Sequence, residues 1–340
     1  MSTMRVLVTG GAGFIGLHSC MRFARQGFTV TVLDDLSRIG SEANLNLLAN
    51  AIPNLSFIKC DISRKANLDK ALKGLVFDCI LHLAAQTAVT TSVTNPQLDF
   101  DVNALGSFNI LEWARLQKTK PMLIYSSTNK VYGSLPELAL EENSNRYLPS
   151  QISPSLGIDE NFQLSFRSPY GCSKGYADQL FLDFFATYGL KTVVFRQSCI
   201  YGTHQFGVED QGWLAWMALA GLKNQPVTIF GDGKQVRDVL FVDDLVSAFE
   251  LAINSIDSVS GEVFNIGGGH PNSLSILEYL DFLKELEVVV TRSFAETRVG
   301  DQKYFVSNNA KAAVSLGWHP NVRYSDGIPQ MVDWIRKYRL

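Results

Sequence analysis

The sequence has few of the features that mark secreted, metal-binding or membrane-spanning proteins. Its 340 residues include five cysteines, an odd number without a CxxC pair, which does not indicate a disulfide framework or a zinc site. Its five histidines are scattered, without HxH or HExxH, so we expect no metal site. No apolar run approaches about 18 residues, and the stretch MSTMRVLVTGG has no apolar signal core. We therefore expect a cytoplasmic protein that does not span a membrane.

The sequence also lacks a strong charge of either sign. Its formal net charge is −3 and its pI is about 6.0, so we expect no nucleic-acid partner and no general attraction to anionic membranes. Any phosphate binding must come from local groups. A composition of 46% hydrophobic and 19% charged residues is typical of a globular protein with a large core.

Short apolar runs alternate with amphipathic stretches in the first half of the chain. We interpret six of these runs as strands buried on both faces: MRVLVT (4–9), TVTVLD (29–34), LSFIKC (55–60), DCILHL (78–83), PMLIYSS (121–127) and KTVVFR (191–196). Helical patterns lie between them, over 14–26, 64–73, 96–117 and 170–188. This alternation predicts an α/β fold with a Rossmann-type, doubly wound parallel sheet.

A glycine-rich turn follows the first predicted strand. VLVTGGAGFIG places Gly10, Gly13 and Gly16 between that strand and the beginning of a helix. Glycine permits a tight turn and lets backbone N–H groups approach a pyrophosphate at the positive N-terminus of the helix. The stretch therefore predicts a dinucleotide site.

Acidic and small residues follow the next strands. Asp34 ends the second strand, where a carboxylate accepts hydrogen bonds from the ribose hydroxyls of NAD and repels the 2′-phosphate of NADP. Arg38 lies close enough to accommodate that phosphate, but we favour NAD. Asp61 and the segment 82–86 lie where the rest of the dinucleotide should pass. We interpret His82 itself as a core histidine.

The pattern changes after the first half of the chain. Residues 133–168 have little periodicity and form a long, potentially functional excursion. After residue 196, strands and helices follow in a mixed order. We predict a dinucleotide-binding domain over 1–196, which also includes about 238–266, and a smaller mixed α/β substrate lobe over 197–340.

A hydroxyl, a tyrosine and a lysine form a candidate catalytic set. Ser126 and Thr128 lie at the end of the fifth strand, and Tyr170 and Lys174 share one face of a following helix. Tyrosine can take a proton from a sugar hydroxyl while a hydride leaves the same carbon. Because the pKa of free tyrosine is ~10, this role near pH 7 needs about 4 kcal/mol of phenolate stabilisation. We expect the lysine ammonium and a positive nicotinamide to supply it.

Motifs in a fixed order cover nearly the whole chain: TGGAGFIG, LDDLSR, LHLAAQ, YSSTNKVYG, SPYGCSKG and VRDVLFVDDL. On these residues the chain resembles the extended short-chain dehydrogenases/reductases of the nucleotide-sugar epimerase/dehydratase superfamily. Longer stretches, including DENFQLSFRSPYGCSKGYADQ and FGDGKQVRDVL, are similar to the CDP-tyvelose (CDP-paratose) 2-epimerase family. That resemblance implies tightly held NAD, transient oxidation at C2 of a CDP-sugar and a role in lipopolysaccharide O-antigen synthesis. It also implies a homodimer or homotetramer.

The resemblance assigns roles to individual residues. The implied catalytic residues are Thr128, Tyr170 and Lys174. The implied cofactor contacts are Gly10, Gly13, Phe14, Ile15, Gly16, Asp34, Ser37, Arg38, Asp61, Ile62, Leu83, Ala84, Ala85, Asn103, Ser126, Tyr170 and Lys174. The implied contacts to the nucleotide and diphosphate are Arg237, Arg298 and Asp301. Thr90 and Thr91 either line the hexose pocket or form a polar turn before a helix.

The residues after the strand-five hydroxyl bear on the reaction. The dehydratase branch has Asp-Glu there, whereas this chain has Asn129 and Lys130, which cannot replace an acid and a base. Epimerisation with retained NAD is therefore our main hypothesis. A UDP-hexose 4-epimerase is an alternative, although Cys199 stands where that branch commonly has Asn. A non-catalytic NAD-binding sensor is the alternative from another class.

Overall fold

The computed structural model describes residues 3–150, 156–298 and 301–340. The chain divides into two compact units, each built from three segments. The first unit comprises Met1–Thr128, Pro169–Arg196 and Val246–Phe264, and the second comprises Asn129–Ser168, Gln197–Leu245 and Asn265–Leu340. Residue 196 ends a segment of the first unit, and 129–168 belongs to the second unit.

Regular elements account for most of the described chain. The strands are β1 Arg5–Thr9, β2 Thr29–Asp34, β3 Ser56–Lys59, β4 Cys79–His82, β5 Met122–Thr128, β6 Leu140–Glu142, β7 Tyr147–Pro149, β8 Thr192–Gln197, β9 Cys199–Tyr201, β10 Val227–Phe230, β11 Val236–Phe241, β12 Glu262–Ile266, β13 Ser273–Ser275, β14 Arg292–Ala295 and β15 Tyr304–Phe305. The α-helices are α1 Phe14–Arg25, α2 Ser41–Ala51, α3 Lys65–Ala71, α4 Val89–Thr94, α5 Pro96–Asp99, α6 Gly106–Arg115, α7 Ser168–Tyr188, α8 Trp213–Leu222, α9 Val242–Asn254, α10 Ile256–Val259, α11 Ile276–Glu285, α12 Ala310–Leu316 and α13 Tyr324–Tyr338. A π-helical segment, Phe100–Leu105, joins α5 to α6. Short 3₁₀ helices cover Asn129–Tyr132 and His270–Asn272.

The central sheet has seven strands in the order β12-β8-β5-β4-β1-β2-β3. β1 pairs in parallel with both β2 and β4, through Val6 opposite Val30 and Cys79. The chain therefore leaves β1 in one direction towards β2 and β3 and returns on the other side at β4. Ligands of such sheets bind outside the carboxyl ends of the strands at this switch point. The predicted doubly wound fold is confirmed.

Apolar side chains on both faces of this sheet form the core of the first unit. Leu7, Ile80 and Leu123 from the strands pack in one cluster with Ile110 of α6 and Phe181 of α7. The continuous apolar character of β1, β4 and β8 follows from this two-sided burial. β3 differs from our prediction, because it is an edge strand whose side chains are largely exposed.

The second unit has its own small sheet and core. β11 is fully buried and pairs with β9, β13 and β15. Its core cluster includes Leu214, Tyr279 and Ile328. The excursion over 133–168 contains the β6–β7 hairpin, and 151–155 lies outside the described residues. Within the described chain, no helix combines the length and the apolar character needed to cross a membrane.

Candidate active site

The glycine turn is closed by contacts that leave no room for side chains. Gly10 has a φ of +68°, and a Cβ on it would lie 2.7 Å from the backbone nitrogen of Ala84. A Cβ on Gly16 would lie 2.3 Å from the carbonyl oxygen of Gly10. The first glycine therefore brings the ends of β1 and β4 together, and the third lets α1 begin directly against the turn.

The beginning of α1 fits the pyrophosphate of a dinucleotide. Gly13 is the N-cap residue of α1 and provides no side-chain hydrogen bond to cap it. The first turn of the helix contains no acidic residue. Phe14 and Ile15 open the helix, so their backbone N–H groups add to its positive end. A Cβ on Gly13 would meet only the Gly10 carbonyl, at 3.1 Å, which leaves the approach to these N–H groups open.

Asp34 is held in place at the end of β2. Its carboxylate accepts hydrogen bonds from the backbone N–H groups of Ala12, at 3.1 Å, and Leu36, at 2.8 Å. Burial raises the pKa of this carboxyl group, while the two backbone N–H groups oppose that effect. The carboxylate thus joins the glycine turn to β2, where it fits a ribose hydroxyl better than a phosphate.

The other predicted residues near the ribose form hydrogen bonds with other groups of the protein. Ser37 donates from its backbone and its hydroxyl to Asp35, at 2.9 and 2.7 Å. The Arg38 guanidinium donates to the Thr87 hydroxyl at 2.8 Å. Asp61 accepts from the backbone N–H of Ser63 at 2.9 Å.

Residues after β4 lie next to the glycine turn. The backbone N–H of Leu83 donates to the Thr9 carbonyl at 3.0 Å, and that of Ala84 to the Thr9 hydroxyl at 3.3 Å. Ala85 follows directly and is half-buried. The small residues of this segment let the backbone lie close to the turn.

Two predicted cofactor residues also have structural roles. Asn103 lies in the π-helical segment and is almost completely buried. Its side-chain amide exchanges hydrogen bonds with the backbone of Gln86, at 2.8 and 2.9 Å, and donates to the Ser173 hydroxyl at 3.1 Å. Ile62 is buried, and its carbonyl accepts from Asn109 at 2.9 Å.

The candidate catalytic side chains meet where β5 ends beside α7. Pro169 occupies the first turn of α7, where its missing N–H costs no helical hydrogen bond. Thr128 hydrogen-bonds Tyr170. Lys174 donates to the Ser126 carbonyl at 2.5 Å, and its ammonium lies 4.3 Å from the centre of the Tyr125 ring. The structure therefore brings the three predicted catalytic residues into one cluster.

Burial moves the pKa values of the tyrosine and the lysine in opposite directions. Burial raises the pKa of Tyr170 to about 12; Thr128 and the charge of Arg38 lower it, and Asp99 raises it. Burial lowers the pKa of Lys174 to about 7, against the charges of Asp178 and Asp99. The protein groups around Tyr170 thus do not by themselves provide the depression that we predicted from the lysine.

The sequence analysis did not predict a group of buried polar residues next to this cluster. Asp178 follows Lys174 by one turn, accepts from the Ser127 hydroxyl at 2.7 Å and forms a buried ion pair with Arg196 at 2.9 Å. The arginine in the apolar strand VVFRQ was the available signal, because a charge in a buried strand needs a buried partner.

His82 has the expected core role, since Thr9 and Ser107 bond its two ring nitrogens at 2.7 and 3.0 Å.

The two threonines after β4 open α4. The Thr90 hydroxyl is buried and has no hydrogen-bond partner among the described residues. Thr91 accepts the backbone N–H of Asn95 at 2.8 Å through its carbonyl. A buried hydroxyl without a partner has a free hydrogen-bonding capacity that a ligand can satisfy.

The second unit contains a separate cluster of charges. Asp301 accepts from Arg237 at 2.8 Å and from Lys130 at 3.2 Å. Burial opposes ionisation, but these two cations lower the pKa of Asp301 to about 2. The backbone carbonyl of Arg298 accepts from the Asp301 N–H at 3.2 Å. Its guanidinium lies 3.8 Å from the centre of the Phe230 ring and forms an ion pair with Asp210.

The tryptophans of α8 pack within the second unit. Trp213 contacts the Tyr279 ring edge-on, at 5.2 Å between ring centroids, and its indole N–H lies 3.5 Å from the Cys199 sulfur. Trp216 packs against the same core cluster. Both rings therefore pack against the core of the second unit.

Comparisons with known proteins identify relatives over nearly the whole length. Residues 6–267 match the model of the NAD dependent epimerase/dehydratase family. The chain is 41% identical over 337 residues to a CDP-paratose 2-epimerase of Salmonella typhi, which covers 97% of this chain and 99% of the relative. It is 32% identical over 346 residues to a UDP-glucose 4-epimerase of Mycolicibacterium smegmatis, covering 98% and 99%.

Solved structures are similar over the same extent. The structure of a Thermus thermophilus UDP-glucose 4-epimerase in complex with NAD has a TM-score of 0.83 and 32% identity, covering 98% of this chain and 100% of that chain. A dTDP-glucose 4,6-dehydratase of Streptomyces venezuelae, with NAD bound, has a TM-score of 0.82 and 28% identity, covering 99% and 98%. The similarity therefore includes both units of the chain.

Proposed function

Since the chain belongs to the NAD dependent epimerase/dehydratase family, we propose that it inverts C2 of a CDP-dideoxyhexose and converts CDP-paratose into CDP-tyvelose. It is an NAD-dependent nucleotide-sugar epimerase. The observation that carries the finer proposal is the 41% identity to a CDP-paratose 2-epimerase over 97% of this chain. The relationship to 4-epimerases makes a UDP-hexose 4-epimerase the second candidate.

We propose that the first unit holds NAD. The α1 N-terminus and the glycine turn would bind the pyrophosphate, and Asp34 the adenosine ribose. The remaining proposed cofactor contacts are Ser37, Arg38, Asp61, Ile62, Leu83, Ala84, Ala85, Asn103, Ser126, Tyr170 and Lys174. When bound, NAD supplies a hydride acceptor and a positive charge close to the reacting sugar carbon.

Tyr170 would act as the base. Its phenolate accepts the proton of the C2 hydroxyl, and Thr128 donates a hydrogen bond that favours the phenolate. The pKa of about 12 for Tyr170 has to fall on substrate binding, and the ammonium form of Lys174 contributes positive charge to that fall. After the keto sugar has turned, the hydride can return to the opposite face of C2, and the same phenol returns the proton to the C2 oxygen.

Asn129 and Lys130 argue against dehydration. The Asn129 amide donates to Gln302 at 3.1 Å, and the Lys130 ammonium pairs with Asp301. Elimination of water needs a carboxylic acid and a carboxylate at this point of the chain. An amide and an ammonium, each already bonded, do not supply them.

Arg237 and Asp301 would form part of the nucleotide-sugar site. With Lys130 protonated, this cluster of two cations and one carboxylate has a net charge of +1, which suits an anionic diphosphate. We extend the proposal to Arg298 as a second diphosphate contact and to Thr90 and Thr91 as contacts of the hexose.

We also propose that the protein is a homodimer or homotetramer. Several apolar side chains of the first unit are exposed near α6 and α7: Phe100, Leu105, Phe185 and Tyr188. Burying such a patch against a second copy would remove it from water, and sedimentation velocity measures the resulting mass.

We also propose a cytoplasmic location. It agrees with cysteines that are all free among the described residues, and cell fractionation tests it.

Incubation with CDP-paratose deuterated at C2 tests the reaction. We expect CDP-tyvelose that retains deuterium on the inverted carbon, observed by NMR, because the hydride returns to the carbon that it left. Loss of deuterium to the solvent would contradict this mechanism. Turnover of UDP-galactose alone would establish the 4-epimerase instead, and bound NAD without any turnover would favour the sensor.

Two variants of one helix test the base. Tyr170→Phe should lower kcat by about 10²- to 10⁴-fold, because it removes the proton acceptor. Tyr176→Phe makes the same chemical change on α7 at a side chain that is 47% exposed, and we expect wild-type kcat. Full turnover by Tyr170→Phe would disprove the proposed proton transfer.

A further inference from the structure

A second carboxylate lies behind the catalytic helix in the first unit. Asp99 ends α5 and is fully buried, with 0% of its surface exposed. It accepts hydrogen bonds from the side-chain amides of Gln86, at 2.7 Å, and Asn103, at 3.2 Å, and from the hydroxyl of Ser173. None of the motifs in the sequence includes Asp99.

Ser173 connects this carboxylate to the catalytic pair. It lies on α7 between Tyr170 and Lys174, and its hydroxyl is also 3.1 Å from the Tyr170 carbonyl. A serine hydroxyl has one hydrogen to donate, and Asp99 is its strongest available acceptor because a carboxylate is charged. The hydrogen bond therefore fixes the turn of α7 that presents both catalytic side chains.

The backbone after Asp99 supports the same arrangement. The π-helical segment Phe100–Leu105 begins at the next residue and contains Asn103, which bonds both Asp99 and Ser173. Such segments are rare and frequently occur at functional sites. Here the segment lets one amide side chain bond α5 and α7 together.

Asp99 differs from Asp178, the other carboxylate near Lys174. Asp178 pairs with the Arg196 guanidinium through both oxygens, at 2.9 and 3.0 Å, which compensates its charge. Asp99 accepts only from neutral donors and has no ion-pair partner within the described chain. Burying a carboxylate without a cation in contact costs free energy, which suggests that its charge serves a purpose.

We propose that Asp99 is a positioning residue of the epimerisation, which orients α7 through Ser173 and holds the side chain of Lys174 in its ammonium form. This rests on the proposed function of Tyr170 and Lys174. Burial lowers the pKa of Lys174, and two carboxylates raise it. Asp178 has the larger effect and Asp99 the smaller. Asp99 also raises the pKa of Tyr170, so its charge favours the protonated form of both side chains.

The other groups around Lys174 do not replace this charge. From β5, the Ser126 carbonyl and the Tyr125 ring contact the ammonium. From β4, His82 stays neutral, since burial lowers its pKa to about 3. Arg38 is the remaining cation that acts on Tyr170.

The test is a direct titration of Lys174 in the protein with its cofactor. The protein is enriched with [ε-¹³C]lysine, and the Lys174 signal is identified by its absence in Lys174→Met. We expect Asp99→Asn to lower the pKa of Lys174 by about one unit relative to the wild type, since an opposite charge has been removed. An unchanged titration would overturn the proposal.

The pH dependence of kcat provides a second measurement. Removing a negative charge favours the deprotonated forms of both Lys174 and Tyr170, so in Asp99→Asn the whole profile should move to lower pH. A lower kcat with an unmoved profile would mean that Asp99 only supports the fold. If CDP-paratose is not a substrate, the carbon titration still decides the role of Asp99, so the two proposals fail separately.

Two further variants control for stability. Asp99→Ser removes the same charge with a smaller side chain and is the alternative if Asp99→Asn does not fold; the same downward shift is expected. Asp244→Asn removes a buried carboxylate of the second unit that accepts from two backbone N–H groups. It should lower the melting temperature and leave the Lys174 titration unchanged, and a shift of that titration would count against a specific role for Asp99.

Discussion

Lys174 shows at the scale of one residue how function opposes stability. Its ammonium is buried, and burial lowers its pKa from 10.5 to about 7. At 1.36 kcal/mol for each pKa unit, this corresponds to an upper bound of about 5 kcal/mol of lost stability at low pH. The unfolded lysine keeps its proton up to about pH 10.5, whereas the folded one releases it above about 7. The loss is therefore largest at and below pH 7 and disappears as the pH rises towards 10.5.

Lys174→Met should accordingly stabilise the protein while it abolishes turnover. We expect the free energy of unfolding at pH 7 to increase by about 2 kcal/mol, after allowance for the lost hydrogen bond to Ser126. Urea denaturation at pH 7 and pH 10 measures this. The gain should shrink at the higher pH, and an equal gain at both values would show that Lys174 does not titrate as described.

The residues of the candidate catalytic set could be found from the sequence because their spacing has a chemical meaning. A tyrosine and a lysine at i and i+4 must share a helix face, whatever the rest of the fold. Asp99 and Asp178 could not be found this way, because a single aspartate in a helix is most often solvated. Only the three-dimensional structure shows that both are buried.

At the scale of elements, the turn between β1 and α1 depends on glycines for two different reasons. At Gly16 the backbone of Gly10 and Gly11 lies within 2.7 Å of where a Cβ would be, so packing excludes a side chain. At Gly13 the nearest atom is the Gly10 carbonyl oxygen, 3.1 Å away, and φ is −71°, so an alanine requires that carbonyl to move by only a few tenths of an ångström. A methyl group there would instead point into the space over the N-terminus of α1.

Gly16→Ala and Gly13→Ala should therefore separate stability from cofactor binding. Gly16→Ala is expected to lower the free energy of unfolding by about 2–4 kcal/mol, because backbone atoms must move. Gly13→Ala should lose less stability than Gly16→Ala and release its NAD more readily. Thermal unfolding and the nucleotide recovered after denaturation measure the two effects, and equal melting temperatures for both variants would refute the packing argument at Gly16.

The sequence predicted some helices and strands better than others. The buried strands β1, β2, β4, β5 and β8 are continuous apolar runs, and each lies within about one residue of its predicted bounds. The predicted helix over 96–117 is divided into α5, a π-helical segment and α6. The apolar periodicity of the sequence does not show where a π-helical segment interrupts an α-helix. The helix α2, with the sequence SEANLNLLANA, was not predicted.

At the scale of the whole molecule, each unit is assembled from distant segments. α9 and β12 follow much of the second unit in sequence, yet most of their residues belong to the first. Phe195 of β8 packs against Phe249 of α9 and Phe264 of β12, with ring centroids 5.6 and 5.9 Å apart. Our prediction assigned 1–196 together with about 238–266 to one domain. That prediction also included 129–168 in the domain, although this stretch lacks the periodicity that relates a segment to a sheet.

A fragment that ends at residue 196 should therefore not fold cooperatively. It lacks Phe249 and Phe264, and the loss of a fully buried phenylalanine costs about 3–5 kcal/mol. Two such losses approach the total stability of a typical domain, about 5–15 kcal/mol, and β8 would also become an unpaired edge. Circular dichroism on heating should show a gradual change for the fragment and a sharp transition for the full chain. The full chain with Phe249→Ala should also unfold sharply, but at a lower temperature. A sharp transition of the fragment with retained NAD would show that α9 and β12 are dispensable for the dinucleotide site.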